Sequence, residues 1–358
     1  MGRLLLFQVT QIGLLLLVVR GVGTALLGGL VCLLVLVLGF GRWRGRWLTT
    51  WIALWWRFRQ RRGLVSDRRS DPRLLALGQL VPDLDVRGVP AVDDPPVGFG
   101  SDGAGWFMVL EVPGPPAGAQ PPVPLAALAR IAGSFEQPGA VVQVLSQSVP
   151  ATDPGPEARG EHGAAKTHTL WVAVRLDAAI VADSLVDRRD PSVDIPTVLG
   201  ELTRRVGRAL RRRGLPPRSL DPDELLTALT RACDLAPGQT RSPERERWWS
   251  WRSDRLVHRC FWLRTWPDPV RGTELLAALA ELPGAWVSTA LLLTGQADGA
   301  GRGELRCLIR IAAAPEQWEQ ICGYAVQLAE RMGGELFPLD GEHALGVYAT
   351  APTGGGAL

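Results

Sequence analysis

The sequence predicts an α/β or α+β protein in which an N-terminal transmembrane helical hairpin is followed by a cytosolic domain built on a mixed sheet. Three observations predict it. From Leu4 to Gly41 the only charge is Arg20. Residues 42–73 then carry ten arginines against Asp67 and Asp71. Beyond residue 97, short β-branched runs alternate with amphipathic stretches, and several strands follow one another directly, the order of a layered mixed sheet.

The apolar run divides into spans of roughly residues 4–19 and 21–40, because a hydrocarbon core of about 30 Å needs about 20 helical residues. "RGVG" (Arg20 to Gly23) is the connection at the far face. Gln8, Thr10 and Gln11 suit a protein-facing side of the first span. A signal peptide opening on Arg3 is the competing reading, and the more apolar second span counts against it. The arginine collar places the large domain on the cytoplasmic side by the positive-inside rule, so the expected location is the cytoplasmic membrane, multi-pass.

The collar opens with "RWRGRWLTTWIALWWRFRQRR" (residues 42–62). Trp43, Trp47, Trp51 and Trp55 recur every four residues, with Trp56 beside them, while Arg42, Arg46 and Arg57 fall on the opposite side of a helical wheel. Indoles favour the headgroup layer and arginines meet anionic lipid there, so these eight residues form an expected membrane interface. A nucleic-acid patch is the weaker reading, because residues 74–358 carry a net charge of −7 and offer phosphates no basic surface. No nucleic-acid partner is expected.

Residues 74–96 read as a Pro- and Asp-rich linker, 97–350 as the folded domain and 351–358 as a flexible tail. Within the domain, strands are expected at 105–112, 140–149, 167–177, 285–295, 303–313 and 343–350, with a hairpin at 247–267 turning near Ser253 and Asp254. Helices are expected at 124–135, 197–214, 221–233, 273–282 and 315–333. The polar stretch 151–166 reads as a loop.

Chemistry is sparse. Asp221 and Asp223 in "DPDE" are the one candidate for a metal and nucleotide-sugar site. The competing reading is a helix start, with Asp221 as N-cap, Pro222 in the first turn and Glu224 closing a capping box. Asp93 and Asp94 sit in the Pro-rich linker. "GFGSDG" (Gly98 to Gly103) lacks the lysine and hydroxyl of a phosphate loop and reads as a turn. Five widely spaced cysteines and four histidines suggest neither a disulfide framework nor a metal centre. His258 reads as a hydrogen-bonded structural residue. Arg204, Arg205, Arg208, Arg211 and Arg212 line one helix as a solvated face or a surface for an acidic partner. No catalytic residue, metal or cofactor is assigned.

In order and texture these features resemble the EccE family, a membrane component of the type VII (ESX) secretion apparatus of actinobacteria. The resemblance rests on the N-terminal spans, "GRWRGRWLTTWIALWWRFRQRR" (Gly41 to Arg62) and "VGFGSDGAGWFMVLEV" (Val97 to Val112). It continues through "TLWVAVRLD" (Thr169 to Asp177), "ELLTALTRAC" (Glu224 to Cys233) and "WWSWRSDRLVHRCFWLRTWP" (Trp248 to Pro267). It implies a non-enzymatic structural subunit that assembles with EccB, EccC and EccD, with membrane lipids as further partners and EccC supplying the energy. It also implies a degenerate glycosyltransferase-like fold without the catalytic acids. The alternative is a membrane-anchored glycosyltransferase acting on an envelope or lipid-linked sugar.

Overall fold

The computed structural model describes residues 29–30, 33–34, 36–37, 40–43, 46–62, 71–91, 94–113, 123–134, 139–150, 166–188, 194–237, 245–295 and 304–356. The chain divides into two compact units, residues 1–64 and 65–358.

In the first unit, β1 (Arg42–Trp43) and β2 (Arg46–Trp47) pair antiparallel, Arg42 opposite Trp47, and helix α1 (Leu48–Arg62) follows. The four-residue tryptophan spacing therefore starts on a two-stranded turn and becomes helical only at Leu48. On α1, Leu54 and Phe58 are buried one turn apart, whereas Ile52, Trp55 and Trp56 are exposed. The expected transmembrane hairpin is corrected. Its first span lies outside the described residues, and among the described residues no helix is long and apolar enough to cross a membrane.

The second unit is organised by one 12-stranded sheet in the order β3-β4-β5-β7-β6-β12-β13-β11-β10-β9, with β8 beside β5 and β14 beside β11. Its elements run β3 (Asp85–Ala91), β4 (Asp94–Ser101), β5 (Gly105–Val112), α3 (Leu125–Gly133), β6 (Ala140–Pro150) and β7 (Lys166–Asp177). Then come α4 (Ala178–Arg188), α5 (Ile195–Arg211), β8 (Arg218–Ser219) and α6 (Pro222–Ala232). The remainder is β9 (Glu246–Arg247), β10 (Ser250–Arg252), β11 (Val257–Thr265), α7 (Pro269–Ala280), β12 (Trp286–Thr294), β13 (Leu305–Ala313), α8 (Trp318–Arg331), β14 (Glu335–Pro338) and α9 (His343–Ala349). Helix α2 (Pro72–Leu77) precedes β3.

Every described strand pairing is antiparallel, which corrects both the mixed sheet and the glycosyltransferase-like fold. A doubly wound nucleotide-binding fold needs adjacent parallel strands with a crevice at their carboxyl ends. Here each helical crossover skips one position, which another strand of the same unit fills in the opposite direction. β5 and β6 flank β7, just as β11 and β12 flank β13.

That pattern occurs twice. β5-α3-β6-β7-α5-β8 and β11-α7-β12-β13-α8-β14 are both split β-α-β-β-α-β units with sheet order 4-1-3-2. Each is preceded by a hairpin (β3-β4 or β9-β10) and followed by an extra helix (α6 or α9). Corresponding bonds repeat: Leu220 N–H donates to Val109 O, and Leu339 N–H to Cys260 O. The hairpin turns repeat as Asp102 N–H to Gly105 O and Ser253 N–H to Leu256 O. The halves join edge to edge through β6 and β12, and the register places a pseudo-two-fold axis at the Leu145–Ala290 pair.

Alternation along the strands divides the core into two layers. Leu170, Val172, Val174 and Leu176 of β7 belong to a layer that Leu199, Leu202, Val206 and Leu210 of α5 also enter, along with residues of α3, α7 and α8. Trp171 and Ala173 belong to the other, shared with α2, α6 and α9. Three further expectations change. The 74–96 linker is largely α2, β3 and half of an edge hairpin. The expected final strand at 343–350 is helix α9, because β14 already holds the position beside β11, and Gly346 lets the helix close on Cys260, where a Cβ would stand 2.7 Å from Cys260 Cβ. The expected free tail is packed as far as Gly356: Ala351 and Thr353 are fully buried. Residues 151–165 lie outside the described residues.

Candidate functional site: a polar seam between the two halves

Beneath the ends of α6 and α9, the sheet face turns polar where an apolar layer would be expected. Gln143 and Gln147 of β6, Arg175 of β7, Ser288 of β12, His258 of β11 and Arg310 of β13 are all buried. A helix ends with carbonyls that have no partner within the helix, and buried carbonyls need donors. Gln147 Nε2 donates to Ala232 O at the end of α6 at 3.2 Å, and Arg310 donates to the same carbonyl and to Ser288 Oγ, the latter at 2.8 Å. Gln143 Nε2 donates to Ala349 O at the end of α9 at 2.8 Å, while its Oε1 accepts from Thr353 N (3.1 Å) and Gly354 N (2.8 Å).

The two arginines act across the junction. Arg175, in the first half, grips Asp102 through both terminal nitrogens at 2.7 and 2.8 Å and also reaches Thr353 O at 3.3 Å, in the segment that ends the second half. Tyr348 Oη of α9 donates to the same Asp102 carboxylate at 3.0 Å. Burial, with the Asp102 charge, pushes the Tyr348 hydroxyl well above its ordinary pKa, so it stays protonated as a donor. Arg310, in the second half, in turn holds the last turn of the first half's extra helix. Gly354 and Gly355 adopt φ of 75° and 76°, which lets the chain's end lie against Arg175 and Leu292.

At one rim of the seam, Asp234 follows α6 in the left-handed region, φ 54°, with Leu235 N–H bonded back to Thr230 O. Its carboxylate accepts from Ser253 Oγ at 2.5 Å and Arg255 Nη2 at 2.7 Å. Burial alone would raise its pKa; the nearby His258 ring and the hydrogen bonds from Ser253 and Arg255 outweigh that and hold it at about 2. His258 Nε2 stands 3.8 Å from Asp234 Oδ2, beyond hydrogen-bond length. Burial pushes the His258 imidazole down to about 4 against the pull of Asp234, so the ring is neutral at neutral pH. Neither ring nitrogen has a hydrogen-bond partner among the described residues, nor has Arg310 Nη1. The hydrogen-bonded histidine expected from the strand pattern is therefore buried but not bonded.

Outside this cluster lies a cavity of about 280 Å³ lined by Thr230, Asp234, Arg255 and Trp286 among others. Ser253, Asp234 and His258 do not form a nucleophilic relay: the hydroxyl bonds to the carboxylate, whereas activation requires it to face the imidazole. Cys233 and Cys260 are buried thiols pushed up to about 12 by desolvation, which leaves them protonated and unreactive. The seam is built to fasten helix ends.

The residues singled out from the sequence lie elsewhere and do not converge. Asp221 Oδ1 accepts from Glu224 N at 2.8 Å while Glu224 Oε2 accepts from Asp221 N at 3.1 Å, a complete capping box. Asp223 turns outward to Arg73 at 2.6 Å. Two carboxylates committed to different partners do not present a joint metal site. Asp93 lies outside the described residues, and Asp94 begins β4. Arg204, Arg205, Arg208, Arg211 and Arg212 are exposed along α5, with Glu201 bridging Arg204 (2.8 Å) and Arg208 (3.1 Å). In the first unit, Trp43 and Arg46 are partners in the β1-β2 ladder. Arg42 sits 4.5 Å over the Trp47 ring, Trp51 is half-buried, and Trp47, Trp55, Trp56 and Arg57 are exposed.

Sequence reasoning passed over Gln143, Gln147, Arg175 and Arg310. The signal was present in "VVQVLSQSV", "VAVRLD" and "LIRIAA": polar side chains at positions where period-two alternation faces a core. What they contact, 22 to 211 residues away, was not in the strand pattern.

A family model described as "Putative type VII ESX secretion system translocon, EccE" matches residues 164–263, a stretch that includes all of β7 and most of β11. The EccE resemblance is borne out over that stretch, which contains Arg175, Asp234 and His258. No curated protein matches the chain.

Proposed function

We propose that the chain is a structural subunit of a type VII (ESX) secretion apparatus, working at the cytoplasmic membrane with residues 65–358 on the cytoplasmic side and assembling with EccB, EccC and EccD. The observation that carries this is the family match across residues 164–263, the stretch that links the two halves of the sheet. The polar seam supports a scaffold role, since Gln143, Gln147, Arg175 and Arg310 each donate to a carbonyl of the protein's own chain. The separate commitments of Asp221 and Asp223 count against the glycosyltransferase alternative. Exposure of Trp47, Ile52, Trp55 and Trp56 supports headgroup contact by the first unit.

The test is affinity purification of the tagged full-length chain from native membranes. Co-recovery of EccB-, EccC- and EccD-like proteins is expected, and their consistent absence overturns the reading. Saturable, manganese-dependent binding of a nucleotide sugar, lost in Asp223→Ala, would favour the enzyme instead.

A further inference from the structure

The pseudo-two-fold relation places α5 of the first half and α8 of the second at corresponding positions over the same apolar layer. Their outer faces carry opposite charge. α5 and its C-cap expose Arg204, Arg208, Arg211 and Arg212, and the helix contains one acidic residue, Glu201, which bridges Arg204 and Arg208. The start and outer face of α8 expose Glu316, Glu319 and Glu330 against Arg331, whose guanidinium lies 5.6 Å from the Tyr324 ring.

From this we infer that a second copy of the chain docks on the helical face, with α5 of each copy lying on α8 of the other. A two-fold rotation about an axis parallel to the helices and between two facing layers exchanges the left and right ends of the layer. Basic α5 then meets acidic α8 twice in one closed, isologous dimer. The other simple face-to-face rotation sets α5 on α5 and is repelled. The helices are 17 and 14 residues long, and at 1.5 Å per residue they present about 25 and 21 Å of facing length, enough for an interface of ordinary size across four helices. Charges on such a surface steer and orient the encounter, and the pairing weakens as salt shortens the screening length. The inference does not depend on the proposed secretion role.

The test uses two differently tagged full-length copies expressed together. Wild-type copies co-purify at low salt and separate at high salt. Reversing α5 (Arg204→Glu, Arg208→Glu, Arg211→Glu) makes both faces acidic; reversing α8 (Glu316→Arg, Glu319→Arg, Glu330→Arg) makes both basic. Each reversed protein is expected to lose self-recovery by about tenfold or more. Co-expressed with each other, the two reversed proteins pair again, a result that damaged folds would not produce. Self-recovery unaffected by either reversal overturns the inference. So does loss in each without mutual rescue, which would assign the arginine face to an acidic partner of another kind.

Discussion

The two halves of the sheet face the same problem, a guanidinium beneath a helix end, and neutralise it differently. Arg175 has Asp102 in bidentate contact, and that carboxylate also accepts from Tyr348. Arg310 has only neutral acceptors, Ala232 O and Ser288 Oγ, and its second terminal nitrogen has no partner among the described residues. Burial lowers the Arg310 pKa. A duplicated backbone therefore does not require duplicated chemistry. The first half resembles a buried ion pair and the second a charge held by dipoles, and removing one member should have unequal consequences.

The largest effect is expected from Asp102→Ala, which leaves Arg175 charged and uncompensated in the core. A loss of about 3–5 kcal/mol in denaturant unfolding is expected, with a smaller loss when Arg175→Met is added, because breaking a buried pair costs more than replacing it. If the double variant is no better than the single, the ion-pair account fails. Arg310→Met should cost far less, within about 1–2 kcal/mol, since Gln147 remains to hold Ala232 O and no carboxylate is orphaned. A loss equal to that of Asp102→Ala would erase the contrast between the halves.

Acid should act on the second half first. His258 has a folded-state pKa of about 4 against an ordinary value of 6.5, so the unfolded chain binds the proton more readily. The stability this neutral ring allows is present above pH 6.5 and declines as pH falls from there towards 4, by about 3 kcal/mol at most. Asp234, held at about 2, adds a loss that sets in below its unfolded pKa of 3.8. A stability profile of His258→Gln that keeps the full wild-type slope between pH 6.5 and 4 would remove His258 from this role. The smallest effect belongs to the helix start outside the seam: Asp221→Ala should cost about 1 kcal/mol through loss of the cap. Its thermal unfolding should shift by a few degrees at most.

Most strands and helices of residues 105–333 were legible because local alternation and local start signals decide them. "DPDE" is a helix start whose partners are three residues apart, and the structure forms it that way. "AVVQVLSQSV" and "TLWVAVRLD" are strands with one face in each layer. The errors fell where a distant element decides. "HALGVYAT" has apolar content that suits a strand, but with β14 beside β11 it packs as α9 over Cys260. "LDVRGVPAVDDPPVGFG" looks like a linker until its backbone is offered β5 as a pairing edge. "TGGG" looks free until Arg175 and Gln143 supply its acceptor and donors. The seam was legible only as polar letters in apolar strands.

By itself, the sequence determined which segments extend and which coil, which side of each strand is apolar, the arginine-rich stretch after the apolar run and the likeness to EccE. These follow from spacing of two or about four residues along one chain. Tertiary structure decided that all described pairings are antiparallel, that one split unit occurs twice about the Leu145–Ala290 pair, and that each half's arginine fastens the other half's end. Those depend on contacts between segments far apart in the chain, where two stretches with little sequence in common can fill equivalent places because backbone pairing and burial, not residue identity, set the fold.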